Sequence, residues 1–477
     1  MLESYGLSTL VVAVAVGLVT LLAAWRHAFA TMGALLLLLL FHEFARRWLS
    51  SSLGFSDELV NALSRWWVVV ILVLLLVVVV RWLQAWRNTR TIPSFHKTDI
   101  LLALIVALGL VYALTSPNRT AGVAAFRSYF QPLGVYVLAR AIWPTKRELQ
   151  GFLILWIAVG VILTAFELWQ FSSWTESDYL MRGYVRPGGE LGVPGVTLGS
   201  VRRLRPPSTV TGPNELGIHM VLLSLMTLLW AYAARGVSRW ILGACALLFF
   251  VGLTVTYSRS ALIAFGVGLL ALAGQAALGG GWRSWNDKVP RSMLSLGLAG
   301  VAVMTIAAWL LASGLAGRVV DTIATLPERY HYRDIVGAIA YLSQNPQGVG
   351  MGLVGPREGI FFQSVEEAFH VEGSLFQIAM EMGVWSLVIW LIFLGAVLVS
   401  IAHNRLSLKY RILHIVAGTA VAGWLGALVA FLILPLMQSI ALMSWLWFLL
   451  GYGLSAHLIE QAWVRDRESV SVQPGPQ

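Results

Sequence analysis

Long apolar stretches alternate with short polar ones, most of them basic, along this 477-residue chain. A helix needs roughly 20 residues to cross about 30 Å of hydrocarbon. Windows of that kind fall at 7–25, 28–45, 66–84, 99–115, 126–143, 150–171, 215–234, 240–257, 259–278, 293–312, 373–401, 411–433 and 437–457. They predict an all-α, polytopic transmembrane helical bundle of about 13 spans, in a range of about 12 to 14. The windows 28–45 and 126–143 fit the template least well. Two longer polar segments, 172–214 and 313–372, interrupt the alternation, and the whole of 1–477 reads as a single integral membrane domain.

The short loops set the orientation, because Lys and Arg stay on the cytoplasmic side. Arg81, Arg87, Arg90 and Lys97 follow the third window, and Arg140, Lys146 and Arg147 the fifth. Arg235 and Arg239 follow the seventh; Arg283, Lys288 and Arg291 the ninth; Arg405, Lys409 and Arg411 the eleventh; Arg465 and Arg467 the last. With an odd count these all share one side, and both long segments face outward. The stretch "VGLTVTYSRSALIAFGVGLL", residues 251–270, carries Arg259 in its middle. It reads as two spans meeting in a tight outer turn, which puts Arg259 at the outer membrane face rather than mid-membrane.

Composition agrees with the pattern: 58% of residues are hydrophobic and 12% charged, against about 25% charged in soluble domains. The 21 tryptophans suit interfacial belts. Cys245 is the lone cysteine, so neither an intramolecular disulfide nor a cysteine metal site is expected. No basic region precedes the first apolar run, so 7–25 reads as a retained helix rather than a signal peptide. The net charge of +10 is scattered in ones and threes, without a basic, aromatic-interleaved patch, and implies no nucleic-acid partner. No GxxxxGK[ST], HExxH or GxSxG motif occurs, which argues against an ATP-driven pump and a metalloprotease.

The outer segments carry the candidate chemistry. "RRLRPPSTVTGPNELG", 202–217, is held extended by its prolines, and Asn214 is a good N-cap for the next span. "DTIATLPERYHYRDIVGAIAYLSQ" contains Arg329 and Arg333, with Ile335, Ile339 and Leu342 at helical spacing, and predicts an amphipathic helix resting on the bundle mouth. "NPQGVGMGLVG", 345–355, follows no strand and reads as a glycine-permitted loop rather than a dinucleotide fingerprint. His370 is expected at the start of the eleventh span.

Four pieces in this order, "LRPPSTVTGPNELG", "TYSRSALIAF", "YRDIVGAIAYLSQNPQGVGMG" and "FHVEGSLFQIAMEMGVWSLVIW", resemble the O-antigen ligase / O-antigen polymerase superfamily of bacterial membrane glycosyltransferases. The resemblance covers about residues 200–400. That family commonly has asparagine after its histidine, where Val371 stands, and often glycine where Pro207 or Ser208 stands. It implies an inner-membrane enzyme facing the periplasm, metal-independent, inverting and free of cofactors. Such an enzyme moves a glycan from an undecaprenyl-diphosphate carrier to a hydroxyl of another glycan or of a lipid A core. It would serve lipopolysaccharide or other cell-envelope polysaccharide biosynthesis.

The residue chemistry suits that reaction. A diphosphate leaving group gains charge as its bond breaks, and arginine meets phosphate with a fork of permanently charged donors. Arg259 and Arg333, with Arg205 as a third, are the expected catalytic cations, and His370 the expected general base. Arg203, Asn214, Tyr257 and Arg329 complete the expected diphosphate- and glycan-binding set. A secondary transporter or flippase of lipid-linked oligosaccharides is the rival reading, and a structural or sensor protein a third. Coupled carriers place acids near the midplane, whereas here no aspartate falls inside a clear span, Asp99 standing only at the first position of its window, and Glu167 and Glu381 lie toward outer ends.

Overall fold

The computed structural model describes residues 2–56, 59–60, 63–89, 96–185, 191–198, 201–278, 330–355 and 369–471. In chain order its helices are α1 (Leu2–Leu39), α2 (His42–Ser51), α3 (Trp66–Thr89), α4 (Lys97–Leu114), α5 (Arg119–Phe130), α6 (Leu133–Ala141), α7 (Lys146–Ser173) and α8 (Glu176–Met181). They continue as α9 (Pro213–Ala233), α10 (Val237–Val255), α11 (Arg259–Leu278), α12 (Tyr330–Gln344), α13 (Ser374–Arg405), α14 (Arg411–Ile433) and α15 (Ile440–Ser471). Two small sheets complete the described chain: antiparallel β1 (Gly195–Leu198) with β2 (Val201–Leu204), and parallel β3 (Val354–Gly355) with β4 (Phe369–His370). The protein is an all-α polytopic bundle in which ten described helices are long and apolar enough to cross a membrane.

The basic loops gather at one end. Arg81, Ala141 and Glu148 line one cleft there, and Lys146, Lys409 and Arg411 another. Three of the expected spans depart from single helices. α1 breaks at His27, whose φ/ψ of −133/57 are not helical. Before the break Val12 lies beside Trp66, and the carbonyl of Trp25 accepts from Arg81, so this arm runs parallel to α3 toward the basic end. After it Phe29 packs on Phe152 and Phe44 on Phe166, so the chain returns alongside α7. The windows 7–25 and 28–45 are thus two arms of one broken helix. The second arm ends at a turn at Leu40–Phe41, short of the expected Ala45, and α2 then takes over. The window 126–143 is also interrupted. Pro132, which lacks an N–H, separates α5 from α6. The window 293–312 lies outside the described residues.

α9, α14 and α15 form the centre, with 78%, 78% and 89% of their most apolar windows buried. Lipid offers no hydrophobic drive to pull helices together, so close backbone approach and packing must do so. A Cβ at Gly217 of α9 would sit 2.7 Å from the Cβ of Ala261, and one at Gly426 of α14 would collide with the carbonyl of Ala264. These contacts draw α9 and α14 against α11. On the other flank Trp156 of α7 stacks on Trp445 of α15 at 3.9 Å.

α13 is broken as well. Gly383 has φ/ψ of 79/159, a region open only to glycine. The backbone N–H of Val384 donates to the Pro346 carbonyl, and that of Val349 to the Met380 carbonyl. The loop after α12 therefore satisfies backbone groups that the break exposes, as membrane depth requires. Glu381 accepts from the Gly352 N–H at 2.9 Å and fixes the same loop.

Candidate functional site

The site lies at the end opposite the basic loops, where α9, α10 and α11 meet. α10 ends at Val255 and α11 begins at Arg259, so the tight turn expected from the sequence is present. Tyr257 takes φ of 51°, unusual for a bulky residue. Ser258 ends the turn, its hydroxyl 3.4 Å from the Ala261 N–H that it caps. Arg259, the first residue of α11, is exposed.

β2 delivers the second arginine. Arg205 donates through Nε to the Thr256 carbonyl at 2.8 Å and through a terminal nitrogen to Asn214 Oδ1 at 2.7 Å. It thus ties the start of α9 to the α10–α11 turn. Asn214 is not the N-cap expected from the sequence. Gly212 holds that position and Pro213 the first helical one, because proline's fixed φ and missing N–H suit it. The amide oxygen of Asn214 is thereby free to accept from Arg205. Arg203 stands 6.0 Å from the Phe171 ring, and the Tyr257 ring lies 6.1 Å from the same ring.

The approach to α9 is rigid. Ser208, which with Pro207 is one of the two positions where the resembling family often has glycine, takes φ of 51°. That left-handed conformation is the one glycine adopts without strain. Here it is held by the Gln170 side chain, which bonds both the N–H and the carbonyl of Ser208, and by the Ser208 hydroxyl on the Leu163 carbonyl.

Burial, and then the adjacent Arg259 charge, hold the Arg205 guanidinium below the ordinary arginine value. Among the described residues no ion pair involves Arg203, Arg205 or Arg259. Two neighbouring guanidiniums without a carboxylate form a site that gains from an anion. Beside it opens a cavity of about 460 Å³, lined by Asn214, Glu215, His42, Glu43, Gln438 and Ser439 among others.

Glu215 is the feature that sequence reasoning missed. It is 3% exposed, lines this cavity, and Oε1 has no hydrogen-bond partner among the described residues; His219, one turn on, is 3.9 Å away. An acid directly after Pro-Asn reads as an ordinary first-turn residue, so only the cavity reveals it.

The remaining expected residues are only partly placed. Arg333 lies in α12, but its side chain is outside the described residues, and Arg329 is outside altogether. The buried face of α12 is Ala338 and Leu342, packed on Ala379 and Met380 of α13, whereas Ile339, expected inward, is 54% exposed. His370 does not begin the eleventh span. It sits in β4, opposite Gly355, four residues ahead of α13; its side chain is also outside the described residues. Val371, where the resembling family has asparagine, is buried in the cluster under α12. Ser374 donates to the Leu434 carbonyl just past α14, so the His370 strand lies at the same end as the arginine turn. The structure brings Arg205, Asn214, Tyr257 and Arg259 together, with Arg203 beside them. It does not show Arg333 or His370 joining them.

No family model matches this chain, and neither does any curated protein.

Proposed function

We propose that the protein is a membrane glycosyltransferase of the O-antigen ligase or polymerase kind, acting at the periplasmic face of a bacterial inner membrane. The observation that carries this reading is the Arg205–Arg259 pair, free of acidic partners among the described residues and set beside a largely apolar cavity that Asn214 and Glu215 also line. In the reaction an acceptor hydroxyl oxygen attacks the anomeric carbon of the donor glycan. The carbon–oxygen bond to phosphate breaks with inversion, and undecaprenyl diphosphate leaves with the electron pair. Arg205 and Arg259 meet the growing charge, and Arg333 adds to them by the resemblance. The acceptor proton passes to a base. The resemblance nominates His370, and the cavity nominates Glu215.

Purified protein given an undecaprenyl-diphosphate-linked glycan and an acceptor glycan, with chelator and no nucleotide, is expected to form a longer glycan and release undecaprenyl diphosphate. Glu215→Gln and His370→Ala then identify the base by which of them loses the turnover. Absence of any product with either a glycan or a lipid A core acceptor overturns the proposal.

A second reading, a proton-coupled carrier or flippase of lipid-linked oligosaccharides, draws on a different observation. Glu167 is fully buried in α7 and neither carboxylate oxygen has a hydrogen-bond partner among the described residues, and α13 is a broken helix. Buried acids and discontinuous helices are what coupled carriers use. Movement of intact donor across proteoliposomes, driven by a pH gradient and without product, would establish it instead.

A further inference from the structure

A second cavity, of about 430 Å³, lies at the basic end, opposite the arginine turn. It opens where the start of α7 stands off from the end of α9 and the start of α14. Among the described residues three that line it are cations, Lys146, Lys409 and Arg411, and none is an acid. The three cations are exposed. Its inner wall is apolar, made by Trp230, Ile412 and Ile415. A volume of this size is in the range of small-molecule sites, roughly 300–1,000 Å³.

The cations are positioned rather than loose. Glu460 of α15 accepts the backbone N–H groups of Lys409 and Tyr410, which fixes the turn into α14. Arg411 donates to the Ala233 carbonyl at the end of α9, 3.0 Å away. Lys146 lies 5.5 Å from the Tyr410 ring and Arg467 lies 5.4 Å from it, so a fourth cation borders the site. The first turn of α14 and that of α10, whose Ser238 also lines the cavity, carry no side-chain cap. The N-terminal dipole of α10 adds to the positive field, whereas at α14 the Glu460 carboxylate on the Lys409 and Tyr410 N–H groups offsets it.

We propose that this cavity binds the phosphate headgroup of an anionic phospholipid, phosphate among Lys146, Lys409 and Arg411 and glycerol against Trp230 and Ile412. Loop lysines are expected on this face whatever their role, so charge alone does not make a site. The distinguishing features are the concave arrangement and the apolar wall, which a free phosphate would leave unused. The bound lipid bridges α7, α9 and α14, and α9 carries Asn214 at its other end. The proposal stands apart from the glycosyltransferase reading.

The test is native mass spectrometry of the full chain taken from zwitterionic nanodiscs and titrated with phosphatidylglycerol, phosphatidylcholine or inorganic phosphate. One phosphatidylglycerol is expected to be retained per chain, with no retained phosphatidylcholine and no displacement by millimolar phosphate. Lys146→Gln with Lys409→Gln is expected to weaken retention about 25-fold, roughly fivefold for each cation removed. Lys146→Arg with Lys409→Arg keeps the charge and is expected to restore it. Arg87→Gln with Lys97→Gln removes two cations from the same face outside the cavity and leaves retention unchanged. Equal weakening by the two glutamine pairs, or displacement by phosphate, overturns the proposal.

Discussion

At the residue scale, Arg205 is more than a charge. Its two donors hold the Thr256 carbonyl and Asn214 at once, so it both offers charge and fixes the turn that presents Arg259. Lysine retains the charge but cannot reproduce that fork. Arg205→Lys is therefore expected to lower the transfer rate by about 10- to 100-fold, the worth of a charged hydrogen bond; wild-type turnover in a steady-state assay would show that the fork is dispensable. A second residue-scale outcome concerns pH. Asp178 accepts the Thr175 N–H and hydroxyl and pairs with Arg182, and the Thr175 bonds, first the backbone one, hold its carboxyl below the usual 3.8. A depressed carboxyl stabilises the fold above its unfolded value and loses that contribution as pH falls through the folded one. Hydrogen-exchange protection of the Thr175 amide is expected to hold at neutral pH and to fall only below the ordinary aspartate range. The arginines were legible in the sequence because charges beside apolar spans are conspicuous. Glu215 was not, because its significance comes from a cavity assembled by α2, the approach to α9 and the α14–α15 connection.

At the element scale, the apolar windows located the helices well, since each span supplies its own signal. The breaks were less legible. Gly383 interrupts α13 only because the loop at Pro346 and Val349 answers the exposed backbone groups, and those partners lie more than thirty residues earlier in the chain. No local pattern carries that information. A Cβ at Gly383 would lie 2.9 Å from the Pro346 carbonyl oxygen in a conformation closed to other residues. Gly383→Ala is expected to cost roughly 1–3 kcal/mol, read as a lower midpoint in thermal unfolding in detergent; an unchanged midpoint would mean the helix can straighten without loss. The tight α10–α11 turn, by contrast, was readable from the single arginine between two apolar runs.

At the scale of the whole molecule, the alternation of loop charges and the contacts between helices agree. Trp25, Arg81, Ile142 and Lys146 belong to one end, whereas Leu40, Ser208, the Arg259 turn and Ser374 belong to the other. Single cysteines at exposed Ser177 and Ser407, in a Cys245→Ser background, are expected to react with an impermeant maleimide from opposite sides of the membrane. Reaction from the same side would refute the two-ended arrangement. The proposed function rests on the far end being an anion site for a lipid diphosphate. The most direct measurement is the rate of undecaprenyl-diphosphate release by purified wild type, Arg205→Ala and Arg259→Ala with a lipid-linked glycan donor and acceptor. Loss of about 10²- to 10³-fold in each single variant, with the fold intact by circular dichroism, is the expected result. Wild-type release in both variants would contradict the assignment of these arginines to the leaving group.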